Sequence, residues 1–121
     1  MTIYKIMTAD AADAFRRAGS FAGAEIDLAD GYIHFSTATQ AADTLARHFA
    51  GRDGLVLVSV DEDALPTPLA WEPARGGQLF PHLYAALPWS AVVGVDPLPV
   101  GADGVHQLPG VVSGAVSGTV V

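Results

Sequence analysis

The chain contains no cysteine. No disulfide framework, thiol nucleophile or thiolate metal site is open to it, and this absence fits a cytoplasmic chain. Basic residues are scarce as well: 6 Lys and Arg stand against 13 Asp and Glu, a formal charge of −7. Only Arg16 and Arg17 are adjacent. With no basic stripe to track a phosphate backbone, nucleic acid is not expected as a partner. A small anionic molecule or a nucleotide stays compatible, because local dipoles and one or two cations hold such a ligand against the global field. No apolar run approaches the ~18 residues a membrane span needs. The opening Met1-Thr2-Ile3-Tyr4-Lys5 lacks the charged and apolar regions of a secretory signal. A soluble, cytoplasmic protein with no membrane partner is the expectation.

What is present describes one compact domain. The chain has 121 residues, 50% of them hydrophobic and 16% charged, enough for a core without metal or disulfide staples. Ile3 to Met7 is rich in strand formers. A helix follows, capped by Thr8 or Asp10, with Ala11, Ala12, Phe15 and Ala18 at helical spacing and Gly19 closing it. Ser20 to Asp30 reads as a loop or short turn. Gly31 to Thr37 then alternates as a strand, with Tyr32, His34 and Ser36 on one face and Ile33 and Phe35 on the other.

That strand runs into a second helix, from Thr37 to about Ala50. Thr37-Ala38-Thr39-Gln40 fits the capping box, and Ala38, Ala42, Leu45 and Phe49 form the stripe expected to face the sheet. A helix start offers unpaired N–H groups, here beside an imidazole and a hydroxyl, and suits an anion such as phosphate. Leu55 to Val60 is a near-continuous apolar run, the signature of a buried central strand. Asp61 to Pro68 is a link with one helical turn. Leu69–Glu72 and Gln78–Tyr84 read as a hairpin, with Pro81 implying an edge strand or a bulge because it cannot donate a ladder bond. Ala91 to Val95 is the last clear strand. The domain is expected over residues 1–97, followed by a Gly/Val/Pro-rich extension over 98–121 in which Val111 to Val121 reads as an edge arm or a frayed tail. Strands and helices out of strict alternation indicate α+β with a mostly antiparallel sheet.

The notable polar residues inside these apolar strands are His34, Ser36, Glu72, His82 and Tyr84. Each alone has an ordinary structural reading: a paired core imidazole, a helix cap, a solvated strand end. Together, two imidazoles and a carboxylate suit general acid–base work or the orientation of a sugar hydroxyl. Trp71 and Phe80 are expected in the core or as cleft walls, and His48 at the surface. A metal reading would join His34, His82 and Glu72 as a His₂Glu set. No ligand pair at i,i+4 on a helix and no His-x-Glu signature accompany it, so no metal is expected.

Asp30-Gly31-Tyr32-Ile33-His34-Phe35-Ser36, Leu55 to Asp61, Trp71-Glu72, Phe80-Pro81-His82-Leu83-Tyr84, Leu87-Pro88 and Ala91-Val92-Val93 resemble, in order and spacing, the DUF952 family of small bacterial proteins. The resemblance covers roughly residues 3 to 95. It implies an ADP-ribosyltransferase-like fold: a split, mostly antiparallel β-sheet with two flanking helices and a cleft for NAD. By the same resemblance His34 would bond a ribose hydroxyl, and Ser36 with the N–H groups of Thr37 to Thr39 would lie near the diphosphate. His82 and Glu72 would polarise the nicotinamide-side ribose, with Tyr84 as a stacking ring. Lys5 stands where the family often has His, Phe15 where Trp is common, and Ala85 where Gly is usual. The implied function is NAD or related nucleotide binding, with ADP-ribosyl transfer or NAD glycohydrolysis as the chemistry. The protein acceptor is not specified. RNA phosphotransferases share this broad superfamily, but the acidic balance argues against an RNA substrate. The rival expectations are a non-catalytic module for a small anion or nucleotide, and a protein-interaction domain in which these residues are structural.

Overall fold

A computed structural model describes residues 1–110. The Val111–Val121 segment, read above as an edge arm or tail, lies outside the described residues. In chain order the elements are β1 (Thr2–Thr8), α1 (Ala9–Ala18), β2 (Ser20–Phe21), α2 (Glu25–Asp30), β3 (Ile33–His34) and α3 (Ala41–His48). They continue as β4 (Leu55–Asp61), β5 (Ala70–Pro73), β6 (Leu79–Leu83), β7 (Leu87–Pro88) and β8 (Val92–Pro97). The strands form three small sheets, ordered β1-β4-β8, β2-β7 and β3-β6-β5, and every ladder is antiparallel. The class is α+β, as the pattern predicts. Among the described residues no helix is long and apolar enough to cross a membrane.

The apolar run 55–60 is the middle strand of the largest sheet. Alternation along β1 and β4 divides the core in two. One side packs Ile3, Phe15, Ile33, Val58, Val60, Leu83 and Leu87 beneath α1. The other packs Tyr4, Ile6, Leu45, Leu57 and Leu98 beneath α3. Leu98 is 1% exposed, so the second core includes a residue beyond β8.

Three expectations need correction. Residues 20–30 are not a loop: they hold β2 and a third helix, α2. The helix escaped notice because its N-cap position is Ala24, with no side-chain cap bond. The second predicted helix is shorter than its sequence signal. Its regular part, α3, starts at Ala41, and the capping box is half built: Gln40 Oε1 accepts from Thr37 N at 3.0 Å, while the Thr37 hydroxyl bonds Thr39 instead. Its buried face is accordingly Ala41 and Leu45, with Ala42 exposed.

Pro81, third, sits in the middle strand of the β3-β6-β5 sheet rather than at an edge. Phe35 N donates to Pro81 O at 3.0 Å, and proline has no N–H on that side to return. The β3 ladder therefore ends at His34. Two residues later the chain joins another strand, where Ser36 exchanges both backbone bonds with Tyr4 at 2.8 Å. Missing one donor, Pro81 releases the chain from one sheet to bridge to the next.

Thr8 and Thr37 illustrate a working and a non-working cap. Thr8 Oγ1 accepts from Ala11 N at 3.1 Å, so Thr8→Ala lowers stability by about 1 kcal/mol. Thr37→Ala removes no backbone cap and costs only a few tenths by the same scale, roughly. Urea unfolding of the two variants reads the difference; equal losses contradict this assignment of the caps.

Candidate functional site

The bridge between β3 and β1 leaves a cleft of about 640 Å³. Its walls come from β1 (Tyr4, Lys5, Ile6), from α2 (Ile26, Asp30) and from the β3 segment (Tyr32, His34, Phe35, Ser36). Thr44, His48 and Phe49 close it from the α3 side, and Phe80 and His82 from β6. His34 and His82 are direct partners in the β3–β6 ladder, so both point to the same face. Their ring centroids are 5.4 Å apart. Tyr32 lies over them, stacked on His82 at 4.1 Å and tilted against His34 at 4.6 Å.

Behind each imidazole stands a carboxylate. Glu72 is diagonal to His82 across the β5–β6 pair, where Ala70 faces His82. Its Oε1 takes His82 Nδ1 at 2.7 Å and the Tyr84 hydroxyl at 2.8 Å. Those two hydrogen bonds hold the Glu72 carboxyl below its usual value, and the bond to Glu72 pushes the Tyr84 phenol up. An ionised carboxylate only accepts, so His82 Nδ1 carries the proton. In the neutral ring Nε2 then carries the lone pair, and it has no partner among the described residues. This is the geometry of an oriented general base.

His34 is held differently. Asp27 Oδ1 meets its Nδ1 at 2.6 Å and also takes its backbone N–H at 3.0 Å; Asp30 Oδ2 meets Nε2 at 3.0 Å. Only a ring protonated at both nitrogens donates in both directions. In that doubly protonated form His34 has no lone pair for base work, and a ligand hydroxyl reaches Nε2 by displacing Asp30, a half-exposed residue.

Asp27 is the residue the sequence did not disclose. Its side chain is 1% exposed and gathers four neighbours: the Ala24 N–H at 2.8 Å, the two His34 donors, and Lys5 Nζ at 2.9 and 3.0 Å. Burial pushes its carboxyl up, but His34, the Lys5 charge and these hydrogen bonds outweigh that and hold it well below the carboxylate range. Burial also pushes the Lys5 ammonium down, with Asp27 pulling it back. The contact is tight. A Cβ at Gly23, whose φ is +133°, would lie 2.8 Å from Asp27 Cβ. A short acidic first turn before the αL residue Gly31 (φ 89°) was the available signal; Lys5, midway along an apolar strand, was the other.

The remaining expected residues divide. Ser36 lines the cleft and bonds Thr44 Oγ1 at 2.9 Å. Glu72 and Tyr84 touch the cleft through His82 and Tyr32 and do not line it. Thr37 does not line it either, and its N–H is already taken by Gln40. Phe80 is a wall, His48 an exposed residue at the cleft, and Trp71 lies outside it, 37% exposed. Tyr32 was legible as a neighbour of His34 by alternation, but its stacking role was not. Among the described residues no group of three or more His, Asp or Glu is placed to hold a metal ion.

The family model that matches residues 6–95 is described as "Protein of unknown function (DUF952)". Among solved structures, the crystal structure of protein CC0527 from Caulobacter crescentus is similar at 43% identity and a TM-score of 0.86, covering 93% of this chain and 99% of that one. The solution NMR structure of the same protein is similar at 46% identity and a TM-score of 0.79, covering 88% and 92%. No curated protein matches the chain.

Because Asp27 is depressed in the folded state, the unfolded chain binds the extra proton first. The stability that Asp27 supplies is therefore complete above its unfolded pKa, near ~3.9, and is lost as pH falls below that value. Asp27→Ala leaves Lys5 buried without a partner and costs about 3–5 kcal/mol at neutral pH. Chemical unfolding from pH 7 to 2 checks both, and a variant as stable as the parent contradicts the buried pair.

Proposed function

The chain belongs to the DUF952 family, and from that premise we propose that its cleft binds a ribose-containing nucleotide, with NAD as the specific candidate. One observation carries the reading: imidazoles from two strands, each backed by a carboxylate, face one cleft of about 640 Å³. Imidazole, hydroxyl and aromatic surface together suit a sugar ring and a flat base. His82, oriented by Glu72, is the group that would polarise a ribose hydroxyl or draw in an acceptor as the leaving base departs. His34 and Ser36 contribute hydroxyl contacts, and Tyr32 and Tyr84 an aromatic flank. The finer fold reading is likewise a proposal: two sheets split around a cleft, an ADP-ribosyltransferase-like arrangement operating in the cytoplasm.

The family resemblance implies a diphosphate near Ser36 and the N–H groups of Thr37 to Thr39. With the Thr37 N–H occupied and Thr37 outside the cleft, a diphosphate would sit at the cleft mouth, short of that turn. The clamp on both His34 nitrogens favours a second reading, in which the site binds a nucleotide without turning it over.

NAD at millimolar concentration raises the melting temperature by several degrees, as ligand at about 100-fold its Kd adds ~2.7 kcal/mol. His82→Ala and His34→Ala each abolish the rise. Nicotinamide release that is lost in Glu72→Gln marks an enzyme; a thermal shift without release marks a binding module. No shift with NAD and no release contradict both readings.

A further inference from the structure

The cleft has a charge pattern that the nucleotide reading does not use. Lys5 is the only Lys or Arg among the lining residues the structure describes, and both oxygens of Asp27 already hold its ammonium. His34 is likewise spent on Asp27 and Asp30. Against these stand three carboxylates: Asp27 beneath the floor, Asp30 on the wall, and Glu72 behind His82. Asp30 and Glu72 each use only one oxygen, and each side chain is about two-fifths exposed, at 42% and 41%. Much of the remaining wall is aromatic, from Tyr4, Tyr32, Phe35, Phe49 and Phe80, with the imidazoles of His48 and His82 and a few aliphatic and hydroxyl side chains between them.

Aromatic faces with a carboxylate at the edge, and with no uncommitted Lys or Arg among the described lining residues, attract positive charge and repel phosphate. We propose that the interior of the cleft selects an organic cation: a flat or methylated ring bearing a positive charge, held over Tyr32 and paired with Asp30. The inference shares its cleft with the nucleotide reading but does not depend on the ligand being a nucleotide. If it is one, the positively charged base enters and the phosphates stay outside.

Titration calorimetry with four probes tests it. 1-Methylnicotinamide and nicotinamide differ by one methyl group and one positive charge; inorganic diphosphate supplies the anion; NAD reports on the nucleotide reading. The cation is expected to bind about tenfold tighter than nicotinamide, and to weaken between 0.05 and 0.5 M salt as a partly screened charge pair does. Asp30→Asn keeps an acceptor for His34 but loses the charge, so it weakens the cation about tenfold and leaves nicotinamide unchanged. Tyr32→Leu, checked for native circular dichroism, weakens the cation more than nicotinamide. Equal binding of the two nicotinamides, no binding of the cation, or tighter binding of diphosphate overturns the proposal. Cation binding without NAD binding keeps it and removes the nucleotide reading. NAD binding that ignores Asp30→Asn does the reverse.

Discussion

A single buried carboxylate, Asp27, ties the candidate site to the fold. It belongs to a six-residue helix with little packing of its own, yet it reaches Lys5 on β1 and both the backbone and the ring of His34 on β3. Three elements that share no ladder are thereby fixed to one another. Such a hub is stable only when complete. A carboxylate in the interior costs several kcal/mol to desolvate, roughly, unless donors surround it, and here four neighbours do. Its geometry leaves little tolerance on the Gly23 side, where a side chain would collide with it.

Pro81 does the complementary work on the other wall. A strand in the middle of a sheet ordinarily donates to both neighbours. Pro81 cannot, so pairing with β3 stops after two residues and the chain crosses to Tyr4. The opening between the sheets is the consequence of that missing bond. The two imidazoles that flank it differ for the same local reasons. Glu72, from the hairpin, occupies one nitrogen of His82 and leaves the other with no partner among the described residues, whereas α2 supplies carboxylates to both nitrogens of His34. One ring is poised to take a proton and the other to give hydrogen bonds.

Much of this was legible in the chain. The apolar run at 55–60 marked the central strand, Thr8 and Gly19 bracketed α1, and alternation put Tyr32, His34 and Ser36 on a common face. The strands on either side of the Gly76-Gly77 turn were readable as a hairpin, but the register that brings Glu72 to His82 was not. Periodicity cannot see strand order, so the pairing of His34 with His82 leaves no signature in the sequence. α2 was missed because Ala24 gives no cap signal and six residues give almost no period. Lys5 and Asp27 were missed because a buried ion pair joins distant positions that each look exceptional only once they are joined. Pro81 misled for a physical reason: the rule that keeps proline off central strands yields where losing the bond ends a ladder the fold needs to end.

The account turns on Asp27 being ionised and accepting a hydrogen bond from His34. Nitrogen–proton correlation NMR of the imidazole rings measures that directly, since it shows which ring nitrogen bears hydrogen. A proton on His34 Nδ1 that persists at neutral pH, exchanges slowly with water and is lost in Asp27→Leu is the predicted result. A His34 ring with a bare Nδ1, unchanged by that substitution, would contradict it.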